Sequence, residues 1–591
     1  MADFVHPSVS SRIIDNDVVF STASGTTKLF AAYFSGKGVD RKTRRYSTPE
    51  EFIFFNGEPD MAKYGQQAYN VVNWLTNEGE VFGLRLTAED ATYANLVADI
   101  KVKLTVDPAS KEARYVIKPT VFAVANAIES SVLTTIMNDP IVTPDAGFVS
   151  HKIFALIPRG RGAEYASLGM RLIPFTGLAD TYDFMLYELD IVEKVNGAEM
   201  VRETFTVSLD PDARSTSRES MFIKDVVDRF SKYFTVLFSE KAYDRLSTSL
   251  GGVDPKLVNI VNNSSLFDNK TLAALITKAS GTNSTVTYDA AADNLMGIRY
   301  LQKGSDGVVD ANKMDQLLIK AFSGIVDPDV RNKKAMEIDA VLDSNESLAV
   351  KNAIADFATD IRGDLMAFLD TNFTANYEQA LQFRSTFPVS SRNVSIWTQD
   401  FVVYDEYTGR NIRVTLPYFL ASKIVANDND YGVGKPFVGP RRGVISGFVA
   451  EGGISWLPNE PQKSELYMKQ VNYVEQDPDK TYIGTQQTSL QQSTPMQNVS
   501  VARCAFRMVR KAERIADDYR FEFFNDETYK GLQNNIQENL NVFVNAGFCE
   551  YVKVEVYASD YEKATKKCNV TITVKFTDII ERISIGFVVK R

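Results

Sequence analysis

Only two histidines, His6 and His151, occur among the 591 residues. A Ser-His-Asp or Cys-His apparatus would have to use one of them. His6 lies in a polar terminus, and His151 opens an apolar, strand-like run, His-Lys-Ile-Phe-Ala-Leu-Ile. Neither setting is built for proton transfer, so histidine catalysis and histidine metal sites are not expected. Cys504, Cys549 and Cys568 are odd in number and lack CxxC spacing, which speaks against a disulfide framework and a zinc site. Buried free thiols are the ordinary reading. Carboxylates could do acid–base work without histidine. Asp343, Asp364, Asp370 and Asp405 fall near predicted strand ends, where α/β enzymes place catalytic groups. Nothing picks out a pair among them, and turn and cap roles account for all four.

Two loops carry partial motifs. Gly432, Gly434 and Gly439 superficially suggest a phosphate loop, but the spacing fits neither nucleotide fingerprint and no Lys-Ser/Thr pair follows. A backbone loop packing against Pro440-Arg-Arg-Gly443 is expected instead. Asn427-Asp-Asn-Asp430 starts like a calcium loop yet lacks the sixth-position Gly and the closing Glu, so a surface turn is expected. Arg503, Arg507, Arg510 and Arg514 are spaced four, three and four, which lines them along one helix face opposite an apolar stripe. A solvated face is the usual meaning of such a row. Because only Glu513 offers a nearby opposite charge within it, partner binding is an equal reading.

Composition bounds the rest. Hydrophobic residues at 44% and charged residues at 24% are ordinary globular values, and the length predicts several domains. No apolar run reaches the roughly 18 residues of a membrane span. The start, MADFVHPSVSSRIIDND, lacks a signal-peptide layout, so a soluble protein folding in a cytoplasm is expected. Residues 501–591 hold 15 Lys/Arg and 13 Asp/Glu, a net of +2, which leaves −12 on residues 1–500 of a chain whose total is −10. A mildly basic end on an acidic body argues against general nucleic-acid binding and allows polarised contacts between copies or with an acidic partner.

The elements that must position these residues follow from pattern. Leu29 to Phe34 reads as a buried strand, Thr48-Pro-Glu-Glu as a helix start, Tyr64 to Asn77 as a helix, and Val81 to Leu86 as a strand. This is an α/β rhythm. From about 106 to 335 Tyr and Thr alternate with apolar residues around Tyr182 to Val192 and Thr204 to Leu209, predicting antiparallel sheet. The rhythm resumes with a helix over Ser347 to Thr359, a strand over Leu365 to Asp370 and a helix near Tyr377 to Phe383. Strands Val394 to Tyr404 and Asn411 to Thr415 then face each other across Asp405-Glu-Tyr-Thr-Gly409.

The last ninety residues are the most regular. Apolar stripes at Ala505, Met508, Val509, Ala512 and Ile515, and at Tyr529, Leu532, Ile536, Leu540 and Phe543, predict two helices. Strictly alternating runs follow at Val570 to Phe576 and at Ile583, Ile585, Phe587 and Val589. Such strands at a chain end must pair within the subunit or add to a neighbour's sheet. The fold class is therefore a multidomain α/β (α+β) chain: an α/β core, terminal β-strand arms, and a large mixed, β-rich inserted outer region. Expected boundaries are 1–28 for an N-terminal arm, 29–105 and 336–565 for the core, 106–335 for the insertion, and 566–591 for the C-terminal linking strands. A structural subunit joined through its own chain ends, not an enzyme and without a cofactor, is the expected function.

At these residues the chain resembles the sheath protein of contractile phage tails. The likeness covers roughly 8–105 and 335–591. It rests on Pro7-Ser-Val-Ser10, Tyr46-Ser-Thr-Pro-Glu-Glu-Phe52, Gly79 to Leu86, Val350-Lys-Asn-Ala353, Arg362-Gly-Asp364, Pro440-Arg-Arg-Gly443, Asn498 to Arg503 and Phe521-Glu-Phe-Phe-Asn525, in that order. Two departures are the long polar stretch Gln462 to Gln497, where a shorter loop is expected, and the size of the insertion. The resemblance implies hexameric rings of the chain stacked around a tail tube, with baseplate and tail terminator as further partners and no nucleic acid or membrane insertion. Assembly would occur in the host cytoplasm, and the product would be the tail of a virion. Contraction would drive the tube through the host envelope. The arm strands would carry Ile14, Val18 and Phe20 at one end and Val570, Ile572, Val574, Phe576, Ile583, Ile585, Phe587 and Val589 at the other. Arg503, Arg507, Arg510 and Arg514 would face the tube. A sheath of a type VI secretion system or bacteriocin particle is the neighbouring alternative. A carboxylate-dependent α/β hydrolase, which needs a pocket with two perturbed carboxylates, is the alternative from another class.

Overall fold

The computed structural model describes residues 26–138, 147–174, 182, 184–195, 197–257, 269–288, 296–308, 310–579 and 581. The chain divides into two compact units, one of residues 1–35, 41–86 and 311–591, the other of 36–40 and 87–310.

The first unit is organised by a seven-stranded sheet. Its strands are β1 (Lys28–Phe34), β2 (Arg44–Tyr46), β3 (Glu80–Leu86), β4 (Ala340–Leu342), β5 (Met366–Asp370), β6 (Val394–Trp397) and β7 (Val471–Asn472), in the order β7-β6-β5-β4-β1-β3-β2. All pair in parallel except β2, which runs antiparallel to β3. A central parallel strand is covered on both faces and so reads as a continuous apolar run. In β1, Leu29, Ala31 and Tyr33 enter one core cluster while Phe30, Ala32 and Phe34 enter another. Helices supply the two covers. α1 (Pro49–Asn56) starts where the Thr48 side chain accepts from the Glu51 N–H. α2 (Gln67–Thr76) buries Val71, Trp74 and Leu75 in the first cluster, and α3 (Leu348–Asp356) buries Val350 and Ile354 in the second. α4 (Pro417–Tyr431), α5 (Val499–Asp518) and α6 (Asp526–Asn545) complete the first cover. The chain then forms β8 (Cys549–Tyr557) and β9 (Asn569–Phe576).

One strand expectation changes. Val394 to Tyr404 is not one strand, because Gln399 adopts a left-handed φ of 77°. Its amide donates to the Trp456 carbonyl at 2.9 Å and accepts from the Val474 N–H at 2.6 Å, which holds that kink. The kink leaves β6 in the main sheet and starts a separate hairpin, Asp400–Asp405 with Arg410–Thr415. The polar stretch 462–497, longer than the loop the resemblance implies, supplies β7 and the antiparallel pair Val474–Asp477 and Lys480–Ile483. These strands are two to four residues long, too short for periodicity to register.

The second unit holds a five-stranded sheet in the order Phe234–Phe238, Val149–Pro158, Leu96–Val106, Ala113–Phe122, Ser284–Tyr288, and a four-stranded sheet in the order Arg299–Tyr300, Leu168–Pro174, Tyr187–Val195, Ala198–Val207. Its pairings are antiparallel apart from Ser284–Tyr288 with Ala113–Phe122. The division by contacts falls at other residues than the 106 and 335 read from pattern. Leu96–Val106 pairs with two strands of this unit, so the unit begins at Thr87 rather than 106. The helix Ala311–Phe322 packs Leu317 and Phe322 into the first unit's second core cluster, so the unit ends at Asp310 rather than 335. His151 is buried within Val149–Pro158, and burial, then the charge of Arg245, pushes its pKa down to about 4. It is a neutral core residue.

Candidate functional site

The C-terminal element is a two-stranded antiparallel ladder. β8 and β9 pair from Cys549↔Phe576 to Tyr557↔Asn569, with a bulge between Cys549 and Tyr551. The alternation of Val570 to Phe576 turns Val574 and Phe576 toward Leu532, Ile536, Leu540 and Phe543 of α6. Val570, Ile572, Val574 and Phe576 form a strand that pairs on one edge with β8 of the same chain. The ladder has no third strand among the described residues. On β8, the Gln537 side chain of α6 occupies backbone groups beyond the ladder, donating to the Val552 carbonyl and accepting from the Val554 N–H, both at 2.9 Å. Ile14, Val18, Phe20, Ile583, Ile585, Phe587 and Val589 lie outside the described residues. Cys504 and Cys549 are buried thiols as expected, but Cys568, just before β9, is exposed.

α5 positions the arginine row. Asn498 caps it, accepting from the Ser500 and Val501 N–H groups, and Val499, Ala502, Ala505 and Met508 pack into the core. The opposite face is not a freely solvated row: three of its four arginines are largely buried in ion pairs within the chain. Arg503 is 2% exposed and makes a bidentate pair with Asp428, at 3.1 Å through Nη1. Arg507 binds Asp339 through Nε at 3.2 Å and Nη2 at 3.1 Å. Arg510 pairs with Asp339 and donates to the Ile338 carbonyl at 3.0 Å. Arg514 keeps 69% of its side chain exposed and pairs with Glu337. Burial alone would raise the Asp339 pKa, but Arg507 and Arg510 hold it well below the carboxylate range. Asp339 in turn keeps Arg507 charged against its own desolvation.

The acceptors come from unexpected places. Asp428 lies in Asn427-Asp-Asn-Asp430, which is the last part of α4 and not a surface turn. Asp339 directly precedes β4. Thr27, which precedes β1, is fully buried in the same group: its hydroxyl donates to Asp428 at 2.7 Å and accepts from Arg507 at 2.9 Å. The Lys28 N–H donates to Asp339 at 2.9 Å, and its ammonium pairs with Glu337 at 3.1 Å. The amino ends of β1 and β4 thus meet all four arginines. The spacing of the row was legible, but its partners stand up to 480 residues away, where no local pattern points to them.

The carboxyl ends of the same sheet carry a second cluster. Strand order turns between β1 and β4, where open α/β sheets hold ligands. Here Asp343 and Asp370 converge on Lys351, with Asp370 at 2.7 Å, and all three are 0–1% exposed. Burial and the neighbouring Asp370 raise the Asp343 pKa to about 6. Lys351 overcomes burial to lower that of Asp370. Asn70 fills the crevice, donating to the Asp343 carbonyl at 3.1 Å, beside Gln67 and Ser344. Asp364 instead takes a fork from Arg362 at 2.9 and 3.0 Å, and Asp405 accepts from Tyr69 at 2.8 Å. Two perturbed carboxylates do exist, but they line neither of two clefts found among the described residues, of about 100 and 550 Å³. Sealed on an ammonium, they make a structural ion cluster. The glycine loop behaves as a backbone packing element: a Cβ at Gly434 would fall 2.6 Å from the Phe548 ring.

No family model and no curated relative matches the sequence. Solved structures do match in fold. A sheath tail protein from Listeria innocua is 9% identical with a TM-score of 0.53, over 95% of this chain and 94% of that one. A sheath tail protein from Desulfitobacterium hafniense is 10% identical with a TM-score of 0.48, over 96% and 100%. The parallel sheet, the α5–α6 pair and the terminal ladder are thus parts of a chain that has the fold of a sheath tail protein.

Proposed function

We propose that this chain is the structural subunit of a contractile phage tail sheath, polymerising as stacked hexameric rings around a tail tube. The observation that carries the reading is the shared fold along nearly the whole of both chains. The open ladder at the chain end supports it, because a two-stranded ribbon is marginal by itself and gains from added strands. Gln537 already occupies part of the outer side of β8, so the strand from another copy pairs along β9. Main-chain ladders survive rearrangement of side chains, which suits a polymer that changes length while its subunits stay linked. The chain ends outside the described residues, 1–25 and 582–591, supply the linking strands.

Electron microscopy of the purified protein tests this, with ordered tubes as the expected image. Removing 1–20 or 582–591 should leave a folded chain that no longer polymerises. The deletion begins after Glu581, since cutting at 570 would remove β9 and expose the α6 core. Unchanged polymers from both truncations would overturn the linking role.

A further inference from the structure

Apart from Arg514, the arginine row of α5 is too deeply paired to be a free contact surface, yet it is more elaborate than core packing requires. Each of its four arginines has a pairing that leads to Thr27 or Lys28, where the chain enters β1; Arg510 also reaches the Ile338 carbonyl and Asp364. Arg503 and Arg507 reach Thr27, the first through Asp428 and the second directly. Arg507 and Arg510 reach the Lys28 N–H through Asp339, and Arg514 reaches the Lys28 ammonium through Glu337. The Thr27 carbonyl is also taken, accepting from the Trp74 indole and the Glu80 N–H, both at 3.1 Å.

We propose that these arginines are positioning residues that anchor the root of the N-terminal segment to the C-terminal helix pair. This rests on the reading that the segment links copies. Tension applied to residues 1–26 would reach the sheet at the first residues of β1. Neutral ladder bonds loaded at a strand end open one after another, whereas charge-assisted bonds are shorter and roughly twice as strong. Fastening Thr27 and Lys28 to α5 carries tension past the ladder into the helix that leads, through α6, to β8 and β9. The two linking ends of one subunit are then joined by α5 instead of by the sheet alone. Burial shields most of this group from salt, so the anchor holds over a wide range of ionic strength.

The test uses the full-length chain with Thr27→Val, which keeps the shape and removes both hydroxyl bonds, and Asp428→Asn. Leu365→Ala serves as control, because it opens a cavity in the other core cluster. In the unpolymerised protein, amide exchange at Lys28 to Ala31 should rise at least tenfold in both clamp variants. It should stay within about twofold in the control at matched thermal stability. Unchanged exchange in Thr27→Val overturns the anchor, whatever the protein assembles into. In polymers, the clamp variants should dissociate at lower urea than the control. Dissociation together with the control overturns the transmission of tension. Failure of the wild-type chain to polymerise would instead remove the sheath reading, while the exchange result would still decide the anchor.

Discussion

At the carboxyl ends of β4 and β5, Lys351 lies between Asp343 and Asp370. At the amino ends of β1 and β4, Arg503, Arg507 and Arg510 lie on Asp428 and Asp339. Both clusters bury charge, but they differ in reach. The first joins residues within 27 positions of one another, using two strand ends and the helix between them. The second joins Thr27 to Arg507 across 480 positions. A local cluster of this kind holds the geometry of a sheet, while a long-range one fastens distant parts of the chain together. The end where an α/β enzyme would do chemistry is the sealed one. The end that gathers the arginine row is the one next to the chain's entry.

The largest expected effect separates the clusters by stability. Lys351→Met leaves two buried carboxylates facing each other and should cost about 3–5 kcal/mol, read as the urea midpoint at constant slope. Arg503→Ala strands Asp428 and should cost about 3 kcal/mol. Unlike Lys351→Met, it should also loosen Lys28 in amide exchange. A smaller test uses acid. Asp339 has a folded pKa far below its unfolded value near 3.8, so its contribution is complete above that pH and is lost as pH falls below it. Asp339→Asn should therefore flatten the loss of stability below about pH 4. Asp343, raised to about 6, acts in the opposite sense and favours the fold as pH falls from about 6 to 4. Gln537→Ala removes two hydrogen bonds to β8 and should cost about 1–2 kcal/mol in thermal unfolding. Arg514→Ala, at a pair mostly open to solvent, should change stability by about 0.5 kcal/mol or less. A loss there as large as at Arg503 would erase the distinction between the buried and open ends of the row.

Much of this could be read from pattern. β1, β3, β5, α5, α6 and β9 all stand where runs and spacings put them, because each buries a full face or stripe. The polar stretch 462–497 carries no strand pattern because β7 contributes only Val471 and Asn472 to the sheet, too few residues for a period. The polar neighbours of Asp428 predict a turn, although the residue is buried against Arg503.

By itself, the sequence determined the α/β core, the helix pair and β9 strand near the chain end, and the existence of an arginine face on α5. These are local properties of side-chain period and residue type. Tertiary structure alone decided what that face touches and which partner β9 takes. A helix face is set by spacing along a few turns, but the group opposite it is chosen by packing, which brings Thr27, Asp339 and Asp428 to one place from three distant segments.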